Sequence, residues 1–234
     1  MPAGGTPNRC AGPCARVDVI DHPSPNFGPR RNGLQPELVV IHYTEMSSAE
    51  AALERLCAPE AQVSAHYLIG ADGRVWQLVD EAERAWHAGA GEWRGRGDVN
   101  SRSIGIELDN DGRSPFAAAQ MRALEGLLPG ILARWRIPPA GVIAHSDFAP
   151  ERKVDPGPRF DWRRLALNGL AVWPCAPGAP QTPLGPTLDR IGYPRVAEDL
   201  RLAAFRLRFR PGARGPETDA DRALAAAVAA LGPG

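Results

Sequence analysis

Two short apolar runs in this chain each end on a histidine: Leu38-Val-Val-Ile41 on His42, and Gly141-Val-Ile-Ala144 on His145. A continuous apolar run of this length is the pattern of a strand covered on both faces, so the chain must supply helices to both sides of a sheet. A third segment, Ser103-Ile-Gly-Ile-Glu-Leu-Asp109, alternates strictly, with Ile104, Ile106 and Leu108 on one face. Glu107 therefore points the other way. In sheets covered by helices, strand ends are where reactive groups are exposed on a rigid support. These three segments predict an α/β fold with a polar site at the strand ends.

The remaining segments fit that class. Residues 21–36 are rich in proline and turn formers and read as an ordered loop. Residues 47–57 begin with a serine cap and have helical spacing. Val63–Ile69 and Val75–Val79 flank Ala71-Asp72-Gly73, which predicts a hairpin. Residues 116–136 predict a long amphipathic helix, with Pro129 as a break or kink. After Trp173 a proline-rich stretch, 174–186, reads as a semi-rigid linker. Residues 187–234 read as a small all-α module of two or three helices, too short for a robust core of its own.

Of the 27 basic residues, 26 are arginine, and the single lysine is Lys153. It lies in the run from His145 through Lys153-Val-Asp155-Pro-Gly157. Lysine is a compact, strongly hydrated point charge where arginine is a planar fork, so the choice can be chemical. An imidazole, a carboxylate and an ammonium in one loop are what a hydrolytic metal site requires. The formal net charge of zero argues against nucleic-acid or anionic-membrane partners. No stretch approaches the ~20 apolar residues that cross a bilayer. The segment Met1–Cys10 lacks the apolar centre of a secretory signal, which favours a cytoplasmic protein; an export segment missing from the sequence would restore a periplasmic reading. Cys10 and Cys14 could pair, or bind metal with His22, but the four sparse cysteines read more simply as free thiols. Cys57 and Cys175 carry no motif.

Five segments in order resemble the zinc-dependent N-acetylmuramoyl-L-alanine amidases of the amidase-2 family. They are Val40-Ile-His42-Tyr-Thr44, Val63-Ser-Ala-His66-Tyr-Leu-Ile69, Arg84-Ala-Trp86-His87-Ala-Gly89, Ser103-Ile-Gly-Ile-Glu107 and Ala144-His145-Ser-Asp147 through Gly157. The resemblance implies a central mixed β-sheet covered by helices, as in peptidoglycan-recognition proteins, and a catalytic domain over 17–173. It implies Zn2+ held by His42, His145 and Asp155, with Glu107 as general base and Lys153 as donor to the oxyanion. Substrate contacts would come from Tyr43 beside a ligand and from His87 at the cleft rim. His66 is either near the cleft or a satisfied core histidine. Arg96 either pairs with a stem-peptide carboxylate or is a solvated loop arginine. Asp147 is close enough to a ligand to orient it, while His22 reads as structural. The Ile191-Gly-Tyr-Pro start of the C-terminal module resembles a peptidoglycan-binding-like module of one branch of the family, and structural support is the equal alternative.

The implied reaction is hydrolysis of the amide between N-acetylmuramic acid, including its 1,6-anhydro form, and L-alanine in peptidoglycan fragments recycled from the cell wall. The competing expectations are a non-catalytic peptidoglycan-recognition module, an exported cell-wall amidase, and a zinc peptidase cutting within the stem.

Overall fold

The structure, a computed structural model, describes residues 17–179 and 181–232. Its strands are β1 (Val19–Asp21), β2 (Phe27–Gly28), β3 (Leu38–Tyr43), β4 (Tyr67–Ile69), β5 (Val75–Gln77), β6 (Arg84–Ala85), β7 (Ser103–Leu108) and β8 (Val142–Ala144). Its α-helices are α1 (Ala49–Cys57), α2 (Val99–Arg102), α3 (Ala118–Trp135), α4 (His145–Phe148), α5 (Trp162–Leu167), α6 (Leu184–Ile191), α7 (Glu198–Phe209) and α8 (Asp219–Ala230).

Six strands form one sheet in the order β1-β5-β4-β7-β3-β8, and β2 pairs separately with β6. Strands β4, β7, β3 and β8 run parallel, while β5 is antiparallel to β4 and parallel to β1. The sheet is thus mixed, as expected. The six-residue β3 and β7 hold its middle, where Val39, Val40, Ile41, Ile104 and Ile106 suit a pleated surface buried on both sides.

Strand alternation divides these residues between two cores. Val39, Ile41, Ile104, Ile106 and Leu108 pack with Met121, Leu124 and Leu128 of α3 and Trp162 of α5. Leu38, Val40 and Ile143 face the other way, onto Leu188, Leu202, Phe205 and Phe209. Farther along this second face, Ala52, Leu53 and Leu56 of α1 cover Leu68 and Trp76. Each such aliphatic side chain contributes roughly 1.5–3 kcal/mol when fully buried. Helices α6, α7 and α8 therefore share one core with the sheet. His42 and Glu107 lie on the face that they and α1 cover.

Several boundaries differ from the sequence reading. α6 begins at Leu184, inside the stretch expected to be linker, because Pro186 falls in the first turn, where a missing N–H leaves no bond unmade. α3 runs on through Pro129 rather than breaking there. The hairpin strands are shorter than expected, at three residues each. His42 lies within β3 rather than beyond its end. The serine cap of α1 is Ser48, whose side chain accepts from Ala51 N–H at 3.2 Å.

Candidate metal centre and active site

Sheet register assembles the centre. His42 on β3 is the direct partner of Glu107 on β7, so both side chains stand on one face. On the other side of β3, Ala144 pairs with Ile41, so His145, the first residue of α4, emerges beside His42. The loop after α4 then turns back, and Ser146 N–H donates to the Asp155 carbonyl at 3.1 Å. The next peptide bond, Asp155–Pro156, is cis, and Gly157 follows in the left-handed region at φ +75°. His42 Nδ1 lies 2.9 Å from His145 Nδ1 and 2.9 Å from Asp155 Oδ2, and His145 Nδ1 lies 3.0 Å from the same oxygen. All three residues are buried.

The surrounding hydrogen bonds decide what those atoms offer. His145 Nε2 is 3.0 Å from the Ala88 carbonyl, which can only accept, so Nε2 carries the proton. Burial, then the charge of His42, pushes the His145 pKa down to about 4, so the ring is neutral at pH 7 and Nδ1 is a bare lone pair. A longer chain fixes His42. Ser103 Oγ donates its one proton to the Val99 carbonyl at 2.6 Å, so it accepts from His87 Nε2 at 3.1 Å. Burial holds His87 well below the ordinary histidine range and hence neutral, which leaves its Nδ1 to accept from His42 Nε2 at 2.9 Å. His42 Nε2 thus carries a proton, and Nδ1 is the atom that His42 turns toward His145 and Asp155. Burial alone would raise the Asp155 pKa, but the neighbouring imidazoles hold it below the usual carboxylate range. Two imidazole nitrogens and a carboxylate oxygen converge, a donor set that a cation satisfies and that suits zinc. Three protein donors leave a tetrahedral position for water or substrate.

Glu107 completes the centre. Burial, only partly offset by His42, pushes its pKa up to about 7, and its Oε2 is buried without a hydrogen-bond partner among the described residues. A carboxyl titrating near neutrality can accept a proton in one step and return it in the next. The Lys153 ammonium is close enough to lower the pKa of both Glu107 and His145.

The other expected site residues divide. His87 is partly exposed, and its Nδ1 lies 2.9 Å from His42 Nε2. Of the two readings of His66, the structure carries the core one. It is fully buried, Nδ1 accepts from Gly105 N–H at 2.9 Å, and Nε2 lies 3.1 Å from the Glu83 carbonyl. Burial, reinforced by the Arg30 charge, lowers its pKa to about 3. Arg96 Nη1 pairs with Glu37 at 2.8 Å. Glu37 precedes β3, five residues and about 16 Å of strand from His42. Tyr43 is half-buried, with its ring against Gly112 and Gly157 beside the Asp155 loop. His22 is exposed, and its backbone N–H joins Gln77 on β5 at 3.0 Å. Cys10 and Cys14 lie outside the described residues.

Ser103 and Gly105 were not singled out in the sequence, although an isolated glycine inside a strand signals a close approach. A Cβ on Gly105 would come 2.4 Å from His87 Cγ. Gly105→Ala is therefore expected to displace the His87 ring, weaken metal binding roughly 10- to 100-fold, and lower stability by about 1–3 kcal/mol. Chelator competition and denaturant unfolding measure both. Unchanged metal affinity would show that His87 does not orient His42.

Two imidazoles and a carboxylate that could hold a metal ion stand near the Glu107 carboxyl and the Lys153 ammonium, groups of the kind that metal-assisted hydrolysis uses. Residues 32–158 match the N-acetylmuramoyl-L-alanine amidase family, Amidase_2, and the chain belongs to it. It is 40% identical to N-acetylmuramoyl-L-alanine amidase AmiD of Escherichia coli K12, over 82% of each chain. It is 36% identical to 1,6-anhydro-N-acetylmuramyl-L-alanine amidase AmpD of Enterobacter cloacae, over 64% of this chain and 89% of that one. Among solved structures it resembles E. coli AmiD in complex with anhydro-N-acetylmuramic acid-L-Ala-D-gamma-Glu-L-Lys. That likeness has a TM-score of 0.75 at 37% identity, over 86% of this chain and 91% of the other.

Proposed function

We propose that this amidase uses Zn2+ to hydrolyse the amide between N-acetylmuramic acid, including the 1,6-anhydro sugar, and L-alanine of peptidoglycan fragments. The observation that carries the reading is the meeting of His42 Nδ1, His145 Nδ1 and Asp155 Oδ2 beside the unpartnered Glu107 carboxyl. The anhydromuramyl peptide bound by the similar AmiD, and the name of the AmpD relative, support the substrate class.

When bound, zinc lowers the pKa of water and polarises a carbonyl oxygen. The chain's own groups do the rest. Glu107 takes the proton of the attacking water and delivers it to the departing alanine nitrogen, for which a pKa near 7 is suited. Lys153 donates to the oxyanion that develops on the lactyl carbonyl. His87 and Ser103 keep the His42 ring in one tautomer throughout. Tyr43, at the edge of the Asp155 loop, contacts the substrate.

The reading is tested by adding zinc-loaded protein to a purified anhydromuramyl peptide and weighing the products. Release of the intact stem peptide is expected. Binding without release, unchanged by Glu107→Ala, would indicate a recognition module, and cuts within the stem a peptidase. Lys153→Arg is expected to retain zinc and lower kcat at least ~10-fold, because the planar fork cannot reproduce a compact ammonium donor. A kcat within two-fold of the parent would remove Lys153 from the oxyanion role. Cytoplasmic action on recycled fragments belongs to the same proposal, and cell fractionation tests it: enzyme released with the periplasmic contents would place it at the wall.

A further inference from the structure

We infer that the C-terminal helices set the metal centre itself, through a buried contact in which Tyr193 and Arg208 hold Asp147 and Asp147 aims His145. The inference rests on the metal-dependent reading above. Asp147 is 0% exposed. Its Oδ2 accepts from Ala144 N–H at 2.9 Å, so the carboxylate brackets His145: it belongs to the residue two positions after it and is bonded to the backbone of the residue before it. Turning α4 about its axis would break that bond, so α4 and the imidazole it carries move only if Asp147 moves.

Both remaining bonds to Asp147 come from beyond residue 190. Tyr193 Oη donates to Oδ1 at 2.7 Å, and Arg208 Nη1 donates to Oδ2 at 2.9 Å. Each donor is itself fixed. The Tyr193 ring meets Trp93 edge-on at 5.4 Å. The Arg208 guanidinium lies 4.0 Å over the ring of Trp162, a residue of the opposite core. Phe148, at the end of α4, stacks on His145 with ring centroids 5.0 Å apart and an interplanar angle of 21°. Phe148 in turn is packed in the core that holds Tyr193 and Phe205.

The chemistry of Arg208 separates this role from plain support. It is 5% exposed, yet its Nε and Nη2 have no hydrogen-bond partner among the described residues. An apolar side chain would hold helices together better than a guanidinium so incompletely satisfied. What the guanidinium supplies is a charged, directed bond to one carboxylate oxygen. Metal ligands need placement within about half an ångström, and the groups that orient them govern affinity. The position of Asp147 therefore reaches the metal through His145 Nδ1. Tyr193 and Arg208 are thus positioning residues that act through Asp147.

The test compares Tyr193→Phe and Arg208→Met with a control, Arg206→Met. Arg206 pairs with Asp221 at 2.6 Å, wholly between α7 and α8. Zinc affinity is read by chelator competition, amide exchange at residues 144–148 in the metal-free protein, and stability by thermal melting. Tyr193→Phe is expected to weaken zinc about 10-fold and Arg208→Met about 10- to 100-fold, both with faster exchange at Ala144. Arg208→Lys should recover part of the loss. Arg206→Met should lower the melting temperature and leave zinc affinity and Ala144 exchange unchanged. The inference is overturned if both test variants bind zinc within two-fold of the parent, or if the control weakens zinc as much as they do. Should Arg208→Met not fold, Tyr193→Phe decides, since it loses one hydroxyl and keeps the ring packing. A parent protein that binds no zinc would overturn the metal reading, and this inference with it. A parent that binds normally beside unaffected variants overturns only the inference.

Discussion

His42→Ala is expected to abolish bound zinc and turnover together. The substitution removes one of three converging donors and also strands the chain behind it, since His87 Nδ1 loses the proton it accepts. Groups that merely orient a ligand are worth 10- to 100-fold in metal affinity, so loss of the ligand itself should exceed ~100-fold. The fold should survive, because the apolar residues of β3 pack through Val39, Val40 and Ile41. Metal analysis of the purified variant and the peptide-release assay read the two effects. One zinc retained per chain would refute the ligand assignment.

Glu107→Gln is the complementary case, in which zinc stays and turnover falls. Loss of a positioned general base lowers kcat by about 10²–10⁴-fold. The same variant carries a stability effect whose sign follows from the raised pKa. Burial favours the neutral carboxyl, so ionisation of Glu107 opposes folding as the pH rises from its ordinary value of 4.5 through about 7. Below pH 4.5 parent and variant should be equally stable. At pH 8 the metal-free variant should be the more stable, by up to about 3 kcal/mol. Denaturant midpoints at the two pH values measure this, and no gain at pH 8 would mean that the carboxylate is better solvated than its surroundings imply.

Strand periodicity made Glu107 legible, because alternation is a local property and leaves one face for a polar side chain. His42 and His145 were legible as histidines at the ends of buried runs, and Lys153 and Asp155 as an ammonium and a carboxylate in the loop that follows His145. The histidines His66 and His87 were not separable from sequence. Both stand in short segments of the same character, and their roles differ only in partners: a backbone amide for one, a metal-ligand imidazole for the other. Arg96 sits in a glycine-rich loop that could have faced either end of β3, and the ion pair with Glu37 places it at the end away from the centre. The proline content of 174–186 concealed the start of α6, since proline is equally at home in a linker and in a helix's first turn.

By itself the sequence determined the α/β class, the strands and the chemical types available at their ends, because each depends on spacing over a few residues. Which of those groups meet was decided only by tertiary structure. The β3–β7 register sets Glu107 beside His42, and the cleared space over Gly105 admits His87. The bonds from Tyr193 and Arg208 to Asp147 join positions 46 and 61 residues apart. Hydrogen bonds and packing between distant segments leave no periodic trace along the chain, so no local pattern could have announced them.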